Sequence, residues 1–197
     1  MIIKKLIKLL QSLYWDISWK QGRYEYLNLF LGRIPGHFGL AIRSLLIAPL
    51  YRSVGKNIQI FPGVKVRGIH NLSVGNSVVL GEDIFLNANG GIVLEDEVGI
   101  GPGSKVWSVN HVIDDINKPI TEQGYEDKAV HIGKGVWIGA NCTILPGAQI
   151  GEGVVVSAGS VVGGKKIKAF ALMAGNPARI IGFRKKEDDV SESETKK

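Results

Sequence analysis

Residues 107–115 read WSVNHVIDD and carry an imidazole, His111, within four positions of two carboxylates, Asp114 and Asp115. A histidine with an ordinary pKa of about 6.5 removes a proton near neutral pH, so His111 fits a general base acting on a hydroxyl or an amine. A single loop histidine is more often a surface residue, and its neighbours decide the reading. The stretch around it also holds Trp107, Asn110, Gln123 and Tyr125, more hydrogen-bonding groups than a linker needs. Upstream, LNANGG places the side-chain amide of Asn87 in a glycine-rich setting. GIGPG over Gly99–Gly103 lacks the strand-to-helix context of a dinucleotide site. His70, His111 and His131 are not spaced as zinc ligands, and Cys142, the single cysteine, has no partner for a disulfide or a Cys-type metal site. No metal requirement is expected.

The elements that position these groups follow from a repeat. From Ile132 an aliphatic residue recurs every six positions, at Ile138, Ile144, Ile150, Val156 and Val162, with glycine directly after it at Gly133, Gly139, Gly151 and Gly163. Upstream, Val74, Leu80, Leu86, Ile92, Val98 and Ser104 are spaced alike, and Val54, Ile60 and Val66 form an earlier set offset by two residues near Gly68–Ser73. Period six is neither helical nor a two-residue alternation; it predicts short extended runs joined by turns, each run placing one aliphatic side chain inside. With 26 glycines in 197 residues, about twice the usual share, tight turns are well supplied. Register is lost between Ser104 and Ile132, and irregular insertions of that length are usually functional or disordered.

Charge is uneven. Residues 1–70 carry a net charge of +9 and the remainder −3. A basic, aromatic-rich front end suits an anionic membrane surface or a phosphate-bearing substrate; no nucleic-acid-binding motif accompanies it, and no nucleic-acid partner is expected. Ile2, Ile3, Leu6, Ile7, Leu10, Leu13 and Tyr14 follow helical spacing opposite Lys4, Lys5, Lys8 and Gln11, so this helix either packs on the repeat domain or touches membrane peripherally. A second apolar segment, Leu40–Tyr51, is expected to cap the first repeat. The absence of a secretion-signal pattern and the lone cysteine point to the cytoplasm, with the inner face of the cytoplasmic membrane as the peripheral alternative.

GKGVWIGANCTILPGAQIGEGVVVSAGSVV followed by AGNPARIIG, together with NHVIDD and LNANGG, resembles the hexapeptide-repeat acyltransferases, in particular the maltose, galactoside and capsular-polysaccharide O-acetyltransferase branch. The resemblance implies a mainly β fold, a left-handed parallel β-helix over 54–183 with an insertion at about 105–131, preceded by a helical segment at 1–53 and followed by a polar tail at 184–197. It implies acetyl-CoA as acyl donor, a homotrimer, and direct transfer to a sugar hydroxyl of a surface polysaccharide or its lipid-linked precursor. His111 would be the base and Asn87 its catalytic partner. Trp137, Ala140, Ala158, Gly163, Lys165 and Arg179 would hold the coenzyme, and Asp114, Gln123 and Tyr125 the acceptor. The segment after NAN is shortened to GG relative to the galactoside and maltose members, so their simple-sugar specificity does not carry over. N-acetylation of a nucleotide-linked amino sugar is the alternative within the family; a non-catalytic β-helix binding module is the alternative outside it.

Overall fold

The computed structural model describes residues 2–184; beyond Arg184 the polar tail lies outside the described residues. Helices α1 (Ile2–Ser18), α2 (Lys20–Leu31) and α3 (Gly36–Leu46) precede a parallel β-helix. Its first coil holds β1 (Ser53–Val54), β2 (Gln59–Ile60) and β3 (Lys65–Arg67), and its second β4 (Leu72–Val74), β5 (Val79–Leu80) and β6 (Phe85–Asn87). The third coil holds β7 (Ile92–Leu94), β8 (Gly99–Ile100) and β9 (Lys105–Trp107), after which the hairpin β10 (Val109–His111) and β11 (Tyr125–Asp127) leaves the prism. The fourth coil holds β12 (Val130–Ile132), β13 (Trp137–Ile138) and β14 (Thr143–Ile144), and the fifth β15 (Gln149–Ile150), β16 (Val155–Val156) and β17 (Val161–Val162). A partial sixth has β18 (Lys166–Ile167) and β19 (Ala171–Gly175), with β20 (Ala178–Phe183) folded back antiparallel on β19. Three parallel sheets result: a first face β1-β4-β7-β12-β15-β18, a second face β2-β5-β8-β13-β16-β19 and a third face β3-β6-β9-β14-β17.

Two positions of each hexapeptide point inward, not one. Val78 with Leu80, Ile84 with Leu86, Val136 with Ile138 and Val154 with Val156 are all buried. This corrects part of the sequence register. Leu94, Ile100 and Val106 stack on Val74, Leu80 and Leu86, so the six-residue count through Ile92, Val98 and Ser104 follows the second inward position. The shift arises at Ala88–Gly91, a second two-residue expansion lying above the first, at Gly68–Asn71, which forms a short 3-10 turn. Both occupy the corner where the third face returns to the first, and the β10–β11 hairpin leaves from that same corner one coil higher.

The open lower edge of the first coil is sealed by helices. An exposed row of strand N–H and C=O groups would otherwise lie unpaired against apolar side chains. Tyr24 of α2 accepts from the Val66 N–H (2.7 Å) and donates to the Val64 carbonyl (3.3 Å). Gln21 donates to the Val66 carbonyl and accepts from the Ile69 N–H, both at 3.0 Å. On the second face, Arg43 of α3 donates to the Ile60 carbonyl at 2.7 Å while its Nη1 reaches the Ile34 and Leu31 carbonyls, closing the end of α2. Ser44 donates to the Ile58 carbonyl. The expected capping role of Leu40–Tyr51 is therefore carried out, with Arg43, Ile47, Ala48 and Tyr51 buried. Helix α1 does not share in it: every side chain from Ile3 to Lys20 is exposed, and α1 packs along α2.

Burial pushes the Tyr24 and Tyr51 phenols above their ordinary 10.0, so the folded chain keeps protons that the unfolded chain releases, and stability falls as pH rises past 10. Tyr51 Oη is buried without a hydrogen-bond partner, unlike Tyr24. Tyr24→Phe strips two edge groups of a partner and is expected to cost about 1–3 kcal/mol in denaturant melts. Tyr51→Phe is expected to be neutral or stabilising and to flatten the alkaline loss.

Candidate active site

Ser108, which the sequence reading did not single out, fastens the hairpin. Its hydroxyl donates to the Asn87 carbonyl at 2.7 Å and accepts from the Gly90 N–H at 3.0 Å. Its own N–H also donates to the Asn87 carbonyl, and its carbonyl accepts from the Lys128 N–H. The stacked corner turns approach so closely here that a Cβ on Gly90 would sit 2.1 Å from the Ser108 carbonyl, which is why the second expansion ends in glycine. From this base β10 and β11 pair antiparallel, setting His111 opposite Tyr125. Their rings lie 4.6 Å apart between centroids.

His111 and Tyr125 form one wall of a cleft of about 300 Å³, with Asn87 and Trp107 on the prism side and Leu145 and Pro146 from the coil above. Asn87 is largely buried, and its Oδ1 accepts from the Asn89 N–H at 3.4 Å. Its Nδ2 makes no hydrogen bond among the described residues and lines the cleft as a free donor. His111 is exposed and likewise has no hydrogen-bond partner among them. A ring nitrogen able to take a proton thus shares one cleft with an amide able to donate to an oxygen.

Neither aspartate contacts His111. Asp115 accepts from the Asn117 N–H at 3.0 Å and pairs with Lys118 at 3.7 Å, while Asp114 is exposed with no polar partner among the described residues. Gln123 spends its amide on the loop itself: it accepts from the Asp115 N–H and donates to the Asp115 and Lys118 carbonyls. Among the three residues expected to meet an acceptor, only Tyr125 lines the cleft.

The residues expected to hold a coenzyme fall at two edges of the prism. Gly163 and Lys165 lie at the His111 corner, one coil above Pro146. Ala140 and Ala158 stack at the corner between the second and third faces. Trp137 stands on the second face half exposed, its indole lying directly over Gly99, where a Cβ would fall 2.6 Å from the ring. Arg179 sits on β20 opposite Ala174, its Nη1 donating to the Ala178 carbonyl at 3.3 Å. Among the described residues, no three His, Cys, Asp or Glu side chains gather in a metal-holding group.

The family model for bacterial transferase hexapeptides (six repeats) matches residues 129–164. A putative acetyltransferase of Staphylococcus aureus, SAV2555, is 32% identical over 149 residues, covering 75% of this chain and 72% of the relative. The putative lipopolysaccharide biosynthesis O-acetyl transferase WbbJ of Escherichia coli is 33% identical over 126 residues, covering 64% of this chain and 57% of the relative. The match to the probable acetyltransferase Rv3034c of Mycobacterium tuberculosis, 34% identical, covers 58% of this chain and spans only 38% of that relative's length. Among solved structures, a hexapeptide-repeat acetyltransferase from Vibrio cholerae complexed with acetyl-CoA superposes with a TM-score of 0.74 at 25% identity, over 85% of this chain and 88% of that one. A galactoside acetyltransferase in complex with CoA gives 0.76 at 25% identity, over 86% and 83%. By fold, repeat register and sequence, the chain belongs to the hexapeptide-repeat acetyltransferases.

Proposed function

We propose that this protein transfers acetyl from acetyl-CoA to a sugar hydroxyl, with His111 as general base. The observation that carries the reading is the shared cleft of His111 and Asn87. His111 takes the proton of the acceptor hydroxyl as its oxygen attacks the thioester carbonyl. Asn87 Nδ2 steadies the acceptor or the oxyanion that develops, where electrostatic stabilisation counts most. Collapse of the tetrahedral intermediate expels the CoA thiolate, which leaves as the thiol once protonated. The imidazolium is the nearest proton source, and no covalent enzyme intermediate is required.

The working unit in this reading is a homotrimer. His111 and Asn87 belong to one edge of the prism, and Trp137, Ala140 and Ala158 to another. A coenzyme arm lying along the second edge of one copy meets the His111 edge of its neighbour, so each site draws on two chains. Trp137 packs against that arm, and Lys165 and Arg179 meet its phosphates. Asp114 and Gln123 act on the acceptor only through the loop that carries them.

The relation to WbbJ favours O-transfer to a unit of a surface polysaccharide or its precursor. N-transfer is the second reading, supported by the likeness to AntD, an N-acyltransferase from Bacillus cereus, at a TM-score of 0.57 and 25% identity. Alkaline treatment of the labelled product separates the two, since an ester is cleaved and an amide survives.

Among the described residues no helix is long and apolar enough to cross a membrane. In our reading α1 lies on a membrane surface: Leu6, Leu10, Leu13 and Tyr14 are exposed beside its lysines, and each lysine adds about 1 kcal/mol at an anionic surface. Wild-type protein is expected to sediment with anionic phospholipid vesicles at low salt, and a Lys4→Glu/Lys5→Glu/Lys8→Glu variant to stay in the supernatant. Failure of the wild type to sediment excludes the contact.

His111→Ala is expected to lower turnover a hundredfold or more while leaving acetyl-CoA affinity and oligomeric state unchanged, the scale of a lost general base. Trp137→Ala is expected to do the reverse, weakening acetyl-CoA binding in calorimetric titrations. Near-full activity of His111→Ala overturns the assignment.

A further inference from the structure

Directly below the His111 cleft, the third face opens into a second cleft of about 410 Å³ between α2 and β3. Arg33, Lys65 and Arg67 line it together with Phe85, Asn28 and one carboxylate, Glu25. None of these residues has a part in the transfer step. Arg33 is held by Asp83 at 2.8 Å, and Glu25 accepts from Gln21. Lys65 and Arg67 have no ion-pair partner among the described residues. They are exposed on either side of the inward-pointing Val66, and the Arg67 guanidinium lies 5.6 Å from the centre of the Phe85 ring.

The coil register joins this cleft to the one above. Arg67 stands beneath Asn87 and Asn87 beneath Trp107, while Lys65 stands beneath Phe85. Phe85 and Trp107 pack at 5.1 Å, so one aromatic wall runs from the cations to the base of the His111 cleft. At about 4.8 Å per coil, Arg67 lies roughly 5 Å below Asn87 and 10 Å below Trp107, the span of one sugar ring and its glycosidic phosphate. An unpaired guanidinium beside an ammonium is suited to a phosphate oxyanion: the first binds two oxygens in a plane and the second adds a point charge.

We infer that the lower cleft binds a phosphate or diphosphate carried by the acceptor, so that the sugar accepting the acetyl group is a glycosyl phosphate ester rather than a free sugar. The inference rests on the His111 cleft being the acceptor site. Two sources share this chemistry: a soluble sugar phosphate and a lipid-linked one.

The test uses full-length protein saturated with CoA, titrated calorimetrically with inorganic pyrophosphate so that the coenzyme's own phosphate contacts are already filled. Saturable binding is expected in the wild type and in His111→Ala, weakened tenfold or more in Lys65→Gln/Arg67→Gln at an unchanged melting temperature. Equal binding in wild type and double variant, or no saturable binding, overturns the inference. A failure of CoA itself to bind instead defeats the acetyltransferase reading, and pyrophosphate titrated alone then still reads the lower cleft. Geranyl diphosphate binding more tightly than pyrophosphate assigns the anion to a lipid-linked acceptor; equal affinity assigns it to a soluble one.

Discussion

Everything in this molecule hangs from the vertical ladder of main-chain hydrogen bonds between coils. Each strand is two or three residues long on most faces and would not persist alone; it exists because parallel neighbours above and below satisfy it. Coil spacing near 4.8 Å also fixes what the interior admits. Each hexapeptide offers two inward positions, filled mostly by Val, Ile, Leu or Ala, with Ser104, Cys142 and Ser160 where a smaller group suffices. Ser104 shows how a polar group is accommodated: it donates to the Gly139 carbonyl and accepts from the Cys142 N–H, bridging two coils within the core. Burial also pushes the Cys142 thiol up, leaving it a neutral packing residue.

A ladder has ends, and the lower one shapes the front of the chain. Polar side chains of α2 and α3 replace the missing coil atom by atom, supplying donors to Ile58, Ile60, Val64 and Val66 carbonyls and acceptors to Val66 and Ile69 amides. The same requirement brings Arg33 and α2 alongside β3, which is how the lower cleft acquires its second wall. The cap thus has a structural cause and a chemical by-product.

The repeat made most of the fold readable in the sequence, and the family motifs named His111 and Asn87 before any coordinates. From Ile132 to Val162 the six-residue register matches the strands one for one. It slipped at Ile92 because both inward positions carry apolar side chains, so a two-residue shift leaves the pattern superficially intact. Ser108 was silent for a different reason: its importance lies in three hydrogen bonds made by one small residue, which no spacing announces. Gln123 misled in the opposite direction. Its amide looked available for a ligand, yet a tight loop consumes such groups to satisfy its own backbone. The separation of Trp137 from His111 could not be read either, because repeat counting gives height along the prism more readily than which edge a turn occupies.

The three expansions share one corner, and this has an implication for how such chains diversify. At Gly68–Asn71, Ala88–Gly91 and Ser108–Ala129 the backbone lengthens by growing amounts, yet the strands on either side resume their places in the stack. Length at that edge is therefore decoupled from the integrity of the scaffold. The acceptor side of the enzyme can be rebuilt by exchanging what lies between Trp107 and Val130, while the edge bearing Trp137 and Ala158 stays fixed. One vertex of the triangle acts as the variable region of an otherwise invariant frame.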